Sequence, residues 1–210
     1  MNTEETELSD SKNLVVTKKK KPIGKEKKLK VSDDPFVIKI TPKTRKNIEL
    51  SLKKVKGIVN HIQNVQDNAL LLGERLIDMG HVDLGVRLIR NAFQHDTSKF
   101  TGIEWDNMAP GVPLEADDAK AKLKLAIHNH NVNNLHHPEA WLGGIKSMSM
   151  EHLAELSCDW KSRSEEFGTD LRVWIDEKAT KRWGFEKSDQ VYKDIMRFVD
   201  IICDKPFSAV

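Results

Sequence analysis

The chain has 210 residues, enough for one domain with a sizeable core and barely enough for two. Hydrophobic residues make up 39% and charged residues 31%, and no apolar run approaches the roughly 20 residues of a bilayer span, which excludes a spanning helix. The net charge of +2 lies in the first 35 residues, where nine Lys face seven Asp/Glu; the remainder sums to zero and carries no global basic signature for nucleic acid.

Residues 1–35 hold the run Lys18-Lys19-Lys20-Lys21 and almost nothing to bury, so they are expected to be a disordered basic tail. Such a run neutralises phosphates without reading sequence, so a weak nucleic-acid contact is the partner expected of it. No stretch there has the apolar length of a signal peptide, and an intracellular protein is expected. Cys158 and Cys203 form no CxxC pair and read as reduced thiols.

A helical domain is expected over residues 36–210, opened by Phe36–Ile40 as a short strand or extended segment. Thr41-Pro42 is a helix start, with Thr at the N-cap and Pro at the first helical position. Ile48, Leu52, Val55, Ile58, Ile62 and Val65 then recur at spacings of three and four, predicting one long helix or two up to Gly80. A second helix is predicted over Asp83–Gln94. Residues 101–115, with two Gly and two Pro, read as a loop. A third helix spans Ala116–Asn129, Asn131–Leu135 breaks the pattern, and a short helix can follow Pro138. Ser149 is placed to cap a helix through Glu166. Helices at about 170–181 and 188–203 complete an all-α domain without strand alternation or internal repeat.

The eight histidines are unevenly spread. His95-Asp96 ends one helix, His128, His130, His136 and His137 fall within ten residues, His61 lies on the long helix and Asp159 on a later one. Neutral imidazole and carboxylate together suit Mn, Fe, Co or Zn. An adjacent His-Asp pair where a helix ends can send both side chains into one space, and the two oxygens of Asp96 can bridge two metals. His128 stands two residues from His130, a turn of about 200° on a helix, so the two are not expected to share a metal. His81 and His152 are expected to be surface histidines.

The order His61, His95-Asp96, His130, His136-His137, Asp159 resembles the HD-domain superfamily of metal-dependent phosphohydrolases, and His95-Asp96-Thr97-Ser98-Lys99 is similar to its H-D-x-x-K form. The segments His95–Phe100, His130–Glu139 and Cys158-Asp159-Trp160 resemble more closely a family of phage and bacterial proteins marked by H-D-x-S-K-F, H-H-P-E and C-D-W. This resemblance covers roughly residues 55–165. It implies that His61, His95, Asp96 and Asp159 hold a first divalent transition metal. His130 and one of His136 and His137, with His137 preferred, would hold a second, with Asp96 bridging. It also implies a phosphate contact from Lys99. Glu139 is either a general acid or a carboxylate orienting a ligand, beside the plainer reading of a helix-start carboxylate.

The expected activity is hydrolysis of a small, nucleotide-like phosphate ester, in the cytoplasm of a bacterium or a phage-infected cell. The same ligand set also serves di-iron oxygenases similar to myo-inositol oxygenase, and a non-catalytic interaction protein with a structural metal is the third expectation. Tryptophans 105, 141, 160, 174 and 183 are expected in core or pocket wall, Trp160 beneath the metal site; the sequence does not bring them together with basic residues as an aromatic platform requires.

Overall fold

The computed structural model describes residues 40–108 and 116–203. Contacts divide the chain into residues 1–39 and a unit from Ile40 onward, and all described elements belong to the second. The basic tail and the possible strand at 36–39 lie outside the described residues.

Helix α1 runs unbroken over Pro42–Asp78. The Thr41 side chain accepts a hydrogen bond from the Thr44 amide at 3.1 Å, and Pro42 occupies the first turn, where no amide donor is needed. Its buried residues begin only at His61 and continue through Val65, Ala69, Leu72 and Leu76, one stripe at helical spacing. Gly80, with φ of 86°, turns the chain into α2 (Val82–Ala92). The two helices cross at glycines. A Cβ on Gly85 would stand 2.5 Å from the Gly73 carbonyl oxygen, and one on Gly73 would stand 2.5 Å from Ile89 Cγ1. The Gly85 approach is to backbone, which cannot swing aside. Gly85→Ala is therefore expected to destabilise by about 1–3 kcal/mol, the cost of overpacking a close contact, visible as a lower melting temperature; an unchanged melt would mean the helices are free to separate.

Residues 101–115 are not all loop. A short 3-10 turn at Thr97–Phe100 leads into α3 (Gly102–Asn107), while 109–115 lie outside the described residues. Helix α4 spans Ala116–Asn133, so Asn131–Asn133 continue the helix instead of breaking it. The helix stops there because Asn134 folds back, its side-chain amide donating to the His130 carbonyl at 2.7 Å. Pro138–Ala140 form one 3-10 turn.

Helix α5 (Met150–Phe167) is the centre of the fold: Leu153 to Trp160 are all buried. Ser149 stands at its N-cap position, but its hydroxyl makes no capping bond. Around α5 pack α1, α2 and α8 (Gln190–Cys203). Between α5 and α8 the chain forms α6 (Leu171–Trp174), a widened π turn at Ile175–Ala179 and α7 (Thr180–Trp183). Among the described residues the protein is all-α, and no helix is long and apolar enough to cross a membrane.

Candidate metal centre

Asp96 is the hinge of the site. It is the only non-glycine residue with positive φ among the described residues (φ 57°, ψ 12°), a left-handed conformation that Asp tolerates better than most side chains. That turn follows directly on His95, so the two side chains enter the same buried space; they are each 1% exposed. The carboxylate then faces both ways. Its Oδ2 lies 3.6 Å from His61 Nε2 and 3.5 Å from His95 Nε2, while Oδ1 lies 3.1 Å from His130 Nε2 and 3.5 Å from His136 Nε2.

Two groups of ligand-type atoms result, each within 4.8 Å of one another: His61, His95 and Asp159, and Asp96, His130, His136 and His137. His61 Nε2 is 3.0 Å from Asp159 Oδ1, and His137 Nε2 is 3.0 Å from His130 Nε2. Several of these approaches have hydrogen-bond lengths without hydrogen-bond alignment. His61 Nε2, His95 Nε2, His136 Nε2, Asp96 Oδ1 and Asp159 Oδ1 are all buried without a hydrogen-bond partner. Buried polar atoms are rarely left so, because each unpaired group costs about 1–3 kcal/mol. Five together, all of types that ligate metals, fit a bound cation.

The other ring nitrogens complete the fit. His61 Nδ1 meets Glu166 at 2.7 Å, His95 Nδ1 meets Glu155 at 3.1 Å, and His130 Nδ1 meets Glu104 at 2.8 Å. His136 Nδ1 shares Glu155 at 3.4 Å. A carboxylate on Nδ1 holds the proton there and leaves the Nε2 lone pair for a metal, the arrangement usual behind ligating histidines. A third group of ligand-type atoms, His95, His136 and Glu155, is built from these Nδ1 atoms, so we assign it to this supporting layer.

Local sequence explains the supports. Glu155, Asp159 and Glu166 stand at i, i+4 and i+11 on α5, one face of the helix. Glu104 comes from α3 and is held by the Ser98 hydroxyl at 2.8 Å and the Asn129 amide at 3.0 Å. Burial works against charge on Asp96, yet the His95 charge, the close His130 and His136 imidazoles and the Lys99 ammonium bring its pKa well below the usual carboxylate range. Against the same burial, hydrogen bonds from His152 and His95 bring Glu155 down to about 2. Burial and then the neighbouring His136 charge push His137 down to about 3, and burial with the His95 charge lowers His136. Ionised carboxylates and neutral imidazoles at these positions are the states a metal needs. Burial opposes charge on His95, yet its carboxylate neighbours, Asp96 foremost, raise its pKa.

The structure brings together His61, His95, Asp96, His130, His137 and Asp159. It adds His136, which the sequence alone ranked behind His137, and the three glutamates, which it did not single out. His128 faces solvent. His81 is exposed, whereas His152 is half-buried with Nδ1 3.3 Å from Glu155. Lys99 is 6% exposed and contacts the Asp96 carboxylate directly. Glu139 does not join the cluster; its carboxylate takes a hydrogen bond from Trp183 Nε1 at 3.3 Å and lies 3.7 Å from Arg182.

A cavity of about 350 Å³ borders the centre at His137 and Asp159. Trp160, Trp174 and Trp183 wall it, with Arg163 and Arg182 beside them. The aromatic and basic residues that look scattered in sequence therefore do meet, because α5 and the α6–α7 segment pack side by side.

An all-α protein with a buried histidine–carboxylate cluster able to hold metal is the class these features define. The chain belongs to the family described as "family of unknown function (DUF5662)", which matches residues 51–205. No curated protein and no solved structure matches the chain.

Proposed function

We propose that the protein is a metal-dependent phosphohydrolase of the HD-domain type, acting on a nucleotide-like phosphate ester. The observation that carries this reading is Asp96, one oxygen toward each of two ligand groups, which suits a two-metal centre. One or two divalent transition metals bound there would supply Lewis acidity toward phosphoryl oxygens and activate water near neutral pH. His61, His95 and Asp159 would hold one, His130, His136 and His137 the other. The chain's own work is to keep these atoms in place. Glu166, Glu155 and Glu104 fix the imidazole orientations, and Ser98 fixes Glu104. Lys99 lies on Asp96 and is not among the residues lining the cavity, so in this reading it balances the charge of the centre and the phosphate contact passes to cavity residues.

The test strips the purified chain with chelator, reloads it with Mn, Fe, Co or Zn in turn, and follows phosphate release from nucleoside mono-, tri- and cyclic phosphates and an aryl phosphate. Release with at least one metal and none from stripped protein is expected. Demonstrably bound metal with no release from any substrate would overturn the reading, and two irons in that inactive protein would point to the oxygenase.

A further inference from the structure

The cavity beside the centre has a chemistry of its own. Trp160 and Trp183 stack, with ring centroids 5.1 Å apart and planes 22° from parallel, and Trp174 meets both edge-on. The result is one continuous aromatic wall, supplied by α5, α6 and α7. The Arg182 guanidinium lies 4.4 Å from the Trp183 ring centroid. Arg163, on α5, donates to Glu166 at 2.8 Å, the same glutamate that holds His61. Both arginines are substantially exposed, at 44% and 59%, while their carboxylate partners Glu166 and Glu139 are partly buried, at 24% and 33%. Such pairs contribute little, so the planar five-donor guanidinium can turn to a phosphate at small cost. On the inner side the cavity ends at His137 and Asp159.

We infer that this cavity binds a nucleoside monophosphate, its planar base against the tryptophan wall and its phosphate between Arg163, Arg182 and the histidine–aspartate cluster. Apolar planar surface selects an aromatic ring over a bare sugar, because stacking on indole needs a π-face. Two cations select an anion. The volume of about 350 Å³ stands at the low end for small-molecule pockets, room for one ring system with its phosphate. The choice of a phosphate as the anion rests on the phosphohydrolase reading; the aromatic wall and the cations do not.

The test titrates the full-length chain with adenosine 5′-monophosphate, ribose 5-phosphate and adenosine, following intrinsic tryptophan emission and heat of binding. Adenosine 5′-monophosphate should quench saturably and bind at least about tenfold more tightly than either fragment, the scale of one base–aromatic stack. Trp183→Leu should lose about tenfold for the nucleotide and leave ribose 5-phosphate unchanged. Arg182→Gln should weaken the nucleotide and leave adenosine unchanged; since Arg182 is exposed, it decides the matter if Trp183→Leu fails to fold. Equal affinity for ribose 5-phosphate and the nucleotide, or full nucleotide affinity in the folded variants, overturns the assignment. Phosphate release, followed separately, keeps the two readings apart. A nucleotide that binds as described yet is never cleaved leaves the pocket assigned and defeats the hydrolase. Equal cleavage of the nucleotide and ribose 5-phosphate, with equal affinity, leaves the hydrolase and defeats the pocket.

Discussion

Asp96→Asn should abolish metal binding at both ligand groups, not at one. Asp96 approaches the Nε2 atoms of histidines in both groups: Oδ2 serves His61 and His95, Oδ1 serves His130 and His136. Asn is the informative replacement because it also tolerates the left-handed backbone at this position. Ala would add about 1–2 kcal/mol of conformational cost and confuse lost metal with a strained turn. Metal content of the folded, gel-filtered variant should fall to background by mass spectrometry. Its melting temperature should also stop responding to added metal. A metal present at about 100 times its dissociation constant contributes about 2.7 kcal/mol to the native protein, a shift of about 5–10 °C for a domain of this size. A variant that keeps its full metal complement would show that Asp96 is a buried partner of Lys99 and nothing more.

The elements that could be read from the sequence are those written in local chemistry. Thr41-Pro42 starts α1, Gly80 ends it, and the apolar stripe between them has the helical period. Histidine and aspartate at a helix end announced the centre, since few other arrangements concentrate so many neutral-nitrogen and carboxylate donors. What escaped was written in tertiary contacts. Gly102–Asn107 carry glycine and lie beside prolines, which locally favour a loop, yet Glu104 is tied by Ser98, Asn129 and His130, and the short helix follows from those bonds. Asn131–Asn133 look like a break because asparagine competes with the helix; here Asn134 supplies the stop one turn after His130. The tryptophan wall joins positions 160, 174 and 183, which only the packing of α5 against the following segment brings together. Glu155 did leave a signal that could have been used: it stands four residues before Asp159, on the same helix face.

That glutamate carries the second large effect. Glu155 is 4% exposed and reaches a histidine in each ligand group, His95 at 3.1 Å and His136 at 3.4 Å, both through Nδ1 and the same Oε1. Its pKa, held down to about 2 chiefly by hydrogen bonds from His152 and His95 against the effect of burial, keeps it an acceptor toward both rings. In Glu155→Gln one terminal atom becomes a donor. If Oε1 faces the rings, they keep their Nδ1 protons but lose the anionic partner. If the amide nitrogen faces them, a ring must accept at Nδ1 and carry its proton on Nε2, where it cannot ligate. Either way two ligands suffer, one from each group. Loss of such a supporting carboxylate costs about 10–100-fold in metal affinity, and here the loss should register at both groups. Glu104→Gln is the internal control, because Glu104 supports His130 alone and should weaken only its group. Calorimetric titration of stripped protein with zinc should therefore show two weakened phases for Glu155→Gln and one for Glu104→Gln. Equal effects of the two substitutions would mean that the groups are not separate sites joined by Asp96 but a single site, and the two-metal centre would be lost with that distinction.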